Sequence, residues 1–320
     1  MRMIVRSQFC LIAVCLALGW LAAQMFPVGQ SGAQRTAAPP TKEPPPKHAN
    51  APVFPMEARL GANIYLQTSG EYRACCQMIY RSAGDRLAAI VAELPKDGKP
   101  LAVILDLDET VFDNSAFQTF LYRNNLEYSD ELWSVYERDH PRDVTLIPGA
   151  KEFLEKARAL GVTPVLLSNR LQVNQAGSLA ALEHLGIKVV DPAKELFLKV
   201  SPQESNKTAR RAQVAALYNV VMYVGDNLRD FSETEFAAKK PPAGAGMEWY
   251  VEEIQRRQTE ADKAVDRWGR DWFILPNPVY GEWDKLIGPD PLSLMHPTTM
   301  KAPEGKKPEA KTLEAMPAKQ

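Results

Sequence analysis

Two hydrophobic periods alternate along the chain. Leu101 to Leu107 is apolar but for Asp106, and Val162–Leu167, Val220–Val224 and Trp272–Leu275 are similar runs. Such runs predict strands buried on both faces of a parallel sheet. Between them the period lengthens. Ala150–Leu160 sets Phe153, Leu154, Ala157 and Leu160 on one helical face, and Gly161 supplies the stop. Val173–Leu185 predicts a second helix ending at Gly186, and Ser205 a helix N-cap with the helix running to Tyr218. Glu57–Leu94 is helical in character and is closed by Pro95 and Gly98. Strands separated by helices predict an α/β fold: a doubly wound, mostly parallel sheet, with an N-terminal helical segment before it. In such sheets, ligands bind beyond the C-terminal ends of the strands.

Both ends of the chain depart from this pattern. Arg2 and Arg6 precede an uncharged, mainly apolar stretch, Phe9 to Ala23, which is short for a membrane span of roughly 20 residues. Residues 1–33 therefore read as a signal peptide. An uncleaved N-terminal anchor is the rival, because no charge falls between Arg6 and Arg35. Cys15 follows Val14 inside the apolar run, which gives lipidation little support. Either reading predicts export, to the periplasm, the medium or the outer face of a membrane. Residues 34–55 are a Pro-rich linker, suited to an extended spacer. Residues 289–320, rich in Pro, Lys and Glu, predict a disordered tail. The folded domain is expected over 56–288.

The formal net charge of −1 on 320 residues gives no global attraction to a nucleic-acid polymer or an anionic membrane. Positive charge for a phosphate must be local. Of four cysteines, Cys10 and Cys15 lie in the leader, and Cys75 and Cys76 are adjacent, so no disulfide framework is implied. The sequence leaves the oligomeric state open, a homodimer included.

The chemistry gathers at the strand ends. The first central strand ends in Asp106-Leu107-Asp108-Glu109-Thr110, where alternation puts Asp106 and Asp108 on one side. Two close, buried carboxylates need a cation or a shared proton. The second strand ends in Ser168-Asn169-Arg170, and the third in Gly225-Asp226-Asn227-Leu228-Arg229-Asp230. Lys207 falls in the first turn of a predicted helix, where backbone N–H groups favour an anion. One sheet edge thus collects acids for a hard cation together with hydroxyl, amide and ammonium donors for a phosphate. Any one of these acids alone could be a turn or a helix cap. Their recurrence after successive strands points to a site.

Two segments carry a family resemblance. Val103–Phe117, VILDLDETVFDNSAF, and Val221–Phe231, VMYVGDNLRDF, resemble the paired signatures of the class C acid phosphatases of the haloacid-dehalogenase superfamily, which include the outer-membrane lipoprotein e nucleotidases. Phe117 stands where Tyr is expected. The likeness extends through Tyr65–Tyr80 and Leu275–Gly281 and spans Tyr65 to Trp283. It implies a haloacid-dehalogenase-like core with a small helical cap, and a Mg²⁺-dependent phosphomonoesterase acting on nucleoside 5′-monophosphates. In that scheme Asp106 is the nucleophile and forms an aspartyl-phosphate, and Asp108 is general acid and then general base. Mg²⁺ is held by Asp106, the Asp108 backbone carbonyl and Asp226, with Asp230 bracing them by hydrogen bonds. Ser168, Asn169 and Lys207 bind the phosphoryl group, Lys199 being an alternative lysine. Tyr128 and Tyr280 sandwich the base, with Trp133 a substitute for Tyr128.

Other readings compete less well. A dehalogenase has no leaving oxygen to protonate and no need of Asp108. Cys75 to Arg81 fits the C-x₅-R spacing of cysteine phosphatases, but the segment is helical in character and has bulky residues where a phosphate loop needs Gly. The different-class alternative is a non-catalytic binding or storage protein on the same fold. It is disfavoured because Asp106, Asp108, Lys207 and Asp226 are all present.

Overall fold

The computed structural model describes residues 56–95, 98–296 and 298–299. The leader expected at 1–33, the linker at 34–55 and the tail beyond 299 lie outside the described residues. The part of the tail within them, 289–296, includes a short 3₁₀ turn at Pro291–Leu294.

The expected N-terminal helical segment is two helices, α1 (Met56–Thr68) and α2 (Gly70–Glu93). They part at Ser69, whose side chain caps α2 by accepting from the Tyr72 N–H at 3.0 Å. Strand β1 (Leu101–Leu105) follows, then a short β2 (Phe112–Asp113), α3 (Ser115–Arg123), α4 (Asp130–Asp139) and a short β3 (Thr145–Leu146). This insertion holds the helices of the expected cap; β2 and β3 pair as an antiparallel ribbon. The core resumes with α5 (Ala150–Ala159), β4 (Thr163–Leu171), α6 (Gln175–His184), α7 (Pro192–Glu195) and β5 (Leu196–Lys199). It ends with α8 (Thr208–Leu217), β6 (Asn219–Gly225), α9 (Glu233–Phe236), α10 (Met247–Lys263) and β7 (Trp272–Ile274).

Five strands form one sheet in the order β5-β4-β1-β6-β7, and every pairing is parallel. The fold is therefore the expected α/β architecture. Alternation along β1 serves two cores. Val103 and Leu105 join a large cluster with Leu87 of α2, Phe153 and Leu154 of α5 and Leu182 of α6. Ala102 and Ile104 face the other way, onto Val214 of α8. Burial on both faces explains the apolar runs. Full burial of one Leu or Ile in such a core stabilises the fold by about 1.5–3 kcal/mol.

From β1 the chain builds outward through β4 to β5, then crosses to β6 on the other side of β1. The C-terminal ends of β4, β1 and β6 thus flank the point where strand order reverses, the place where an open sheet leaves a crevice. Among the described residues no helix is long and apolar enough to cross a membrane.

Candidate active site

Strand β1 ends one residue before Asp106, whose backbone N–H still reaches the Val224 carbonyl of β6 at 3.0 Å. The chain then folds back on itself. The N–H groups of Val111 and Phe112 both bond the Leu107 carbonyl, at 2.8 and 2.7 Å, and Glu109 adopts φ = 55° to allow it. A left-handed backbone is uncommon for a residue other than glycine, and its strain is stored where the loop is most tightly held. Asp106 and Asp108, just before this turn, go to different partners.

Asp106 meets Lys207, whose Nζ donates to its Oδ1 at 2.5 Å and to Asp230 Oδ1 at 2.7 Å. The three are buried. Asp226 completes the group, since one carboxylate oxygen from each of Asp106, Asp226 and Asp230 lies within 4.8 Å of the others. Asn277 donates to Asp226 Oδ2 at 2.8 Å and Thr110 to its Oδ1 at 3.3 Å. Asp230 Oδ2 accepts from the Asn227 N–H at 3.0 Å.

The electrostatics follow from this crowding. Burial pushes Asp106 well above the ordinary carboxylate range; Lys207 opposes the shift, while Asp230, Asp226 and Asp108 add to it. Burial and Asp230 push Asp226 up to about 7. Burial alone would lower Lys207, but Asp106 and Asp230 outweigh it and hold the ammonium charged. Three carboxylates against one ammonium leave two uncompensated negative charges. Such a donor set, all oxygen and partly desolvated, suits a hard divalent cation. The residues present therefore fit a metal.

Asp108 lies just outside that cluster. Its Oδ1 accepts from Arg170 Nε at 2.8 Å and Asn114 Nδ2 at 3.0 Å, and its Oδ2 from Ser168 Oγ at 3.3 Å. Asn169 accepts from Arg210 at 2.7 Å and donates to the Ser205 carbonyl at 3.1 Å, on the segment leading to Lys207. Arg210 also donates to the Ser168 carbonyl, so one guanidinium fixes both residues expected to meet a phosphate.

The site revises two expectations. Helix α8 starts at Thr208, not beside Ser205, because Asn206 Oδ1 takes the Thr208 N–H at 2.8 Å while Ser205 Oγ accepts from Arg229. Lys207 is therefore the residue before the helix. Its own N–H is bonded to Glu233 at 2.7 Å, so its contribution to anion binding is the ammonium. Lys199 donates to the Pro202 carbonyl at 3.3 Å and takes no part in the cluster.

Tyr280 is partly buried against the main core, three residues after Asn277, whose Oδ1 accepts from its N–H at 3.3 Å. Tyr128 is 50% exposed, its hydroxyl 3.2 Å from Asp130 and its ring 6.4 Å from that of Trp133. Tyr128 also lines a cavity of about 300 Å³ that Val279 borders from the other segment. Cys75 and Cys76 are free thiols, and Cys75 to Arg81 lies inside helix α2, not in a loop.

Sequence reasoning assigned no role to Arg170, Asn114 or Asn277. Arg170 and Asn277 carried a usable signal: each follows or ends a strand, as the recognised acids do. Asn114 carried none beyond its place in the first signature, because only the fold of the turn brings it onto Asp108. Thr110, which closes the first strand-end motif, donates to Asp226.

With this geometry in place, comparison with known proteins is decisive. The model of the HAD superfamily, subfamily IIIB (acid phosphatase), matches residues 29–283. The chain belongs to this family. It is a phosphomonoesterase, not a non-catalytic relative. Two solved structures of a class C acid phosphatase from Bacillus anthracis are similar to it. One, with tungstate bound, is 27% identical with a TM-score of 0.61. The other is 26% identical with a TM-score of 0.60. In each case the match covers 71% of this chain and 87% of the solved chain.

Proposed function

We propose that the chain is an exported, Mg²⁺-dependent acid phosphatase that hydrolyses nucleoside 5′-monophosphates through an aspartyl-phosphate on Asp106. The observation that carries this reading is the group of Asp106, Asp226 and Asp230, two of them bound to the buried Lys207, with Asp108 beside it and separately held. Lys207 fixes the Asp106 carboxylate before substrate arrives. The carboxylate attacks phosphorus as the bond to the leaving oxygen breaks, and that oxygen takes the proton of Asp108. Asp108, now ionised, removes a proton from water. The water oxygen attacks phosphorus, the bond to Asp106 breaks, and phosphate leaves. Ser168, Asn169 and Lys207 stabilise the transferring group. Mg²⁺ would be held by Asp106, the Asp108 backbone carbonyl and Asp226, with Asp230 bracing them, and would supply the positive charge that lets a phosphate dianion approach these carboxylates.

One feature supports a nucleotide: Tyr280 stands beside Asn277, which touches Asp226. The cavity of about 300 Å³ is walled mainly by α1, α3 and the segment to Tyr128, with Val279 also lining it, and none of Asp106, Asp108, Asp226 and Asp230 reaches it. Export rests on the leader composition, with residues 1–33 outside the described residues. A substrate panel of nucleoside 5′- and 3′-monophosphates, sugar phosphates and aryl phosphates tests the activity. Turnover should vanish with EDTA, return with Mg²⁺ and favour 5′-nucleotides. Tungstate, the oxyanion bound by the class C relative, should compete with substrate. Turnover that resists EDTA would overturn the metal dependence, and indifference to the nucleoside would overturn the substrate.

A further inference from the structure

Arg170 is the largest fully buried side chain among the described residues, and neither phosphate nor cation binding explains it. Removing a guanidinium from water is costly unless it is well paired, so its partners identify its task. Its Nε donates to Asp108 Oδ1 at 2.8 Å, and a terminal nitrogen donates to Asn114 Oδ1 at 3.0 Å. Asn114 Nδ2 then donates to the same Asp108 Oδ1 at 3.0 Å. The three side chains close a triangle with both donors on one carboxylate oxygen. Phe112 and Trp133 lie against the guanidinium, with its carbon 4.8 and 5.4 Å from their ring centres. Glu137 of α4 accepts from the Leu171 N–H at 3.1 Å, which ties the helix carrying Trp133 to the end of the strand carrying Arg170.

We infer that Arg170 and Asn114 position the proton donor, holding Asp108 Oδ1 so that the transferable proton resides on Oδ2. This rests on the proposed role of Asp108. An oxygen that already accepts two hydrogen bonds is a poor seat for a proton, because two N–H groups point at its lone pairs. Oδ2 meets only Ser168 Oγ, at the longer distance of 3.3 Å, and the Asp108 side chain keeps a small exposure. In the first step Oδ2 gives its proton to the leaving oxygen and keeps the electron pair. In the second it takes a proton from water. A carboxyl free to rotate would spend part of its time with the proton turned from the leaving oxygen, at a direct cost in rate.

The test is the dependence of kcat/KM on the leaving group, with the Mg²⁺-loaded enzyme, because kcat/KM reports the step that expels the leaving group and not the hydrolysis shared by all substrates. An aryl phosphate departs as a stable phenolate and needs little protonation; an alkyl phosphate such as AMP departs as an alkoxide and needs it fully. Arg170→Lys keeps the buried charge but cannot span both partners. Asn114→Ala leaves the arginine and removes one donor, and serves if the first variant does not fold. Each should lower kcat/KM for AMP by about 10- to 100-fold, with a much smaller loss for the aryl phosphate. Asp108→Asn, measured alongside, should show the same selectivity more strongly. Equal losses on both substrates, or none, for Arg170→Lys and Asn114→Ala would overturn the inference while a selective Asp108→Asn left the donor role standing. If Asp108→Asn itself spares AMP turnover, the donor role falls and takes the inference with it.

Discussion

Gly225 closes β6, and its replacement by alanine tests whether the cation-binding group depends on the packing beneath it. A Cβ built there would lie 2.5 Å from both Cβ and Oδ2 of Asp230 and 2.8 Å from its Cγ. Ordinary carbon contacts are about 3.5–4.0 Å, so Asp230 must retreat by about 1 Å. That retreat strains two bonds at once, the 2.7 Å contact with Lys207 and the 3.0 Å contact with the Asn227 N–H. Overpacking costs about 1–3 kcal/mol and a weakened charged hydrogen bond about 1.5–3 kcal/mol. The two overlap, because relief of one worsens the other, so a loss of about 3 kcal/mol is expected. Urea unfolding should show it as a midpoint lower by about 1 M. Because Asp230 belongs to the carboxylate group, the Mg²⁺ needed for half-maximal rate should also rise, and a 1 Å misplacement can cost about 100-fold in rate. Gly61→Ala is the control: an exposed position inside α1 with nothing within 4 Å, expected to gain about 0.5–1 kcal/mol from helix propensity. A Gly225→Ala protein with wild-type urea midpoint and wild-type Mg²⁺ requirement would show that Asp230 is not seated against Gly225.

Asp106→Asn should cut turnover more than about a thousandfold, roughly 4 kcal/mol of barrier, with the fold intact by circular dichroism; a tenth of wild-type rate would remove Asp106 from the nucleophile's place. In EDTA, stability should fall as pH rises from about 4 to 7: burial first, then Asp230, raises Asp226 to about 7, so over this window the folded state binds more protons than the unfolded chain. The gain in Tm on adding Mg²⁺ should grow across the same window, and a flat melting profile in EDTA would contradict the crowding of charge. Gly177→Ala should lower stability by about 1–3 kcal/mol, because its Cβ would press on the backbone of Glu137 and Arg138 and lift α4 from α6; an unchanged Tm would refute that contact. Tyr280→Ala should weaken kcat/KM for AMP by about 10- to 100-fold and hardly affect a small phosphate; equal losses would place Tyr280 in the fold or the phosphate site.

The sheet was legible because strands buried on both faces must be apolar throughout, and β1, β4, β6 and β7 are. Strand β5 was not, since its four residues alternate between buried and half-buried, giving too short a run to register. Helix α10 escaped for a different reason: its buried positions include Glu253 and Arg257, satisfied by Lys239 and Phe236 backbone groups, so its inward face does not read as hydrophobic. The break at Ser69 was visible in principle as a capping serine before Gly70, but the helical character on either side masked it. At the site, the acids were legible from their places after strands. Their roles came from the family resemblance, but their separate partners were not legible, because strand alternation predicts one side for Asp106 and Asp108, whereas β1 ends before them and they meet Lys207 and Arg170 respectively.

That separation fits the proposed mechanism, in which two acids two residues apart do opposite things. A nucleophile must stay ionised and a proton donor must not, so their surroundings must differ although their chain positions nearly coincide. Asp106 has an ammonium on Oδ1 and lies beside two further carboxylates, a setting in which a bound divalent cation and Lys207 together would keep it charged. Asp108 has its own guanidinium, but through one oxygen only, and the other oxygen stays free of any charged donor. In the proposed mechanism the proton leaves with the leaving group through Oδ2, and Asp108 then draws a proton from water by the same oxygen, while Arg170 and Asn114 keep hold of Oδ1 throughout.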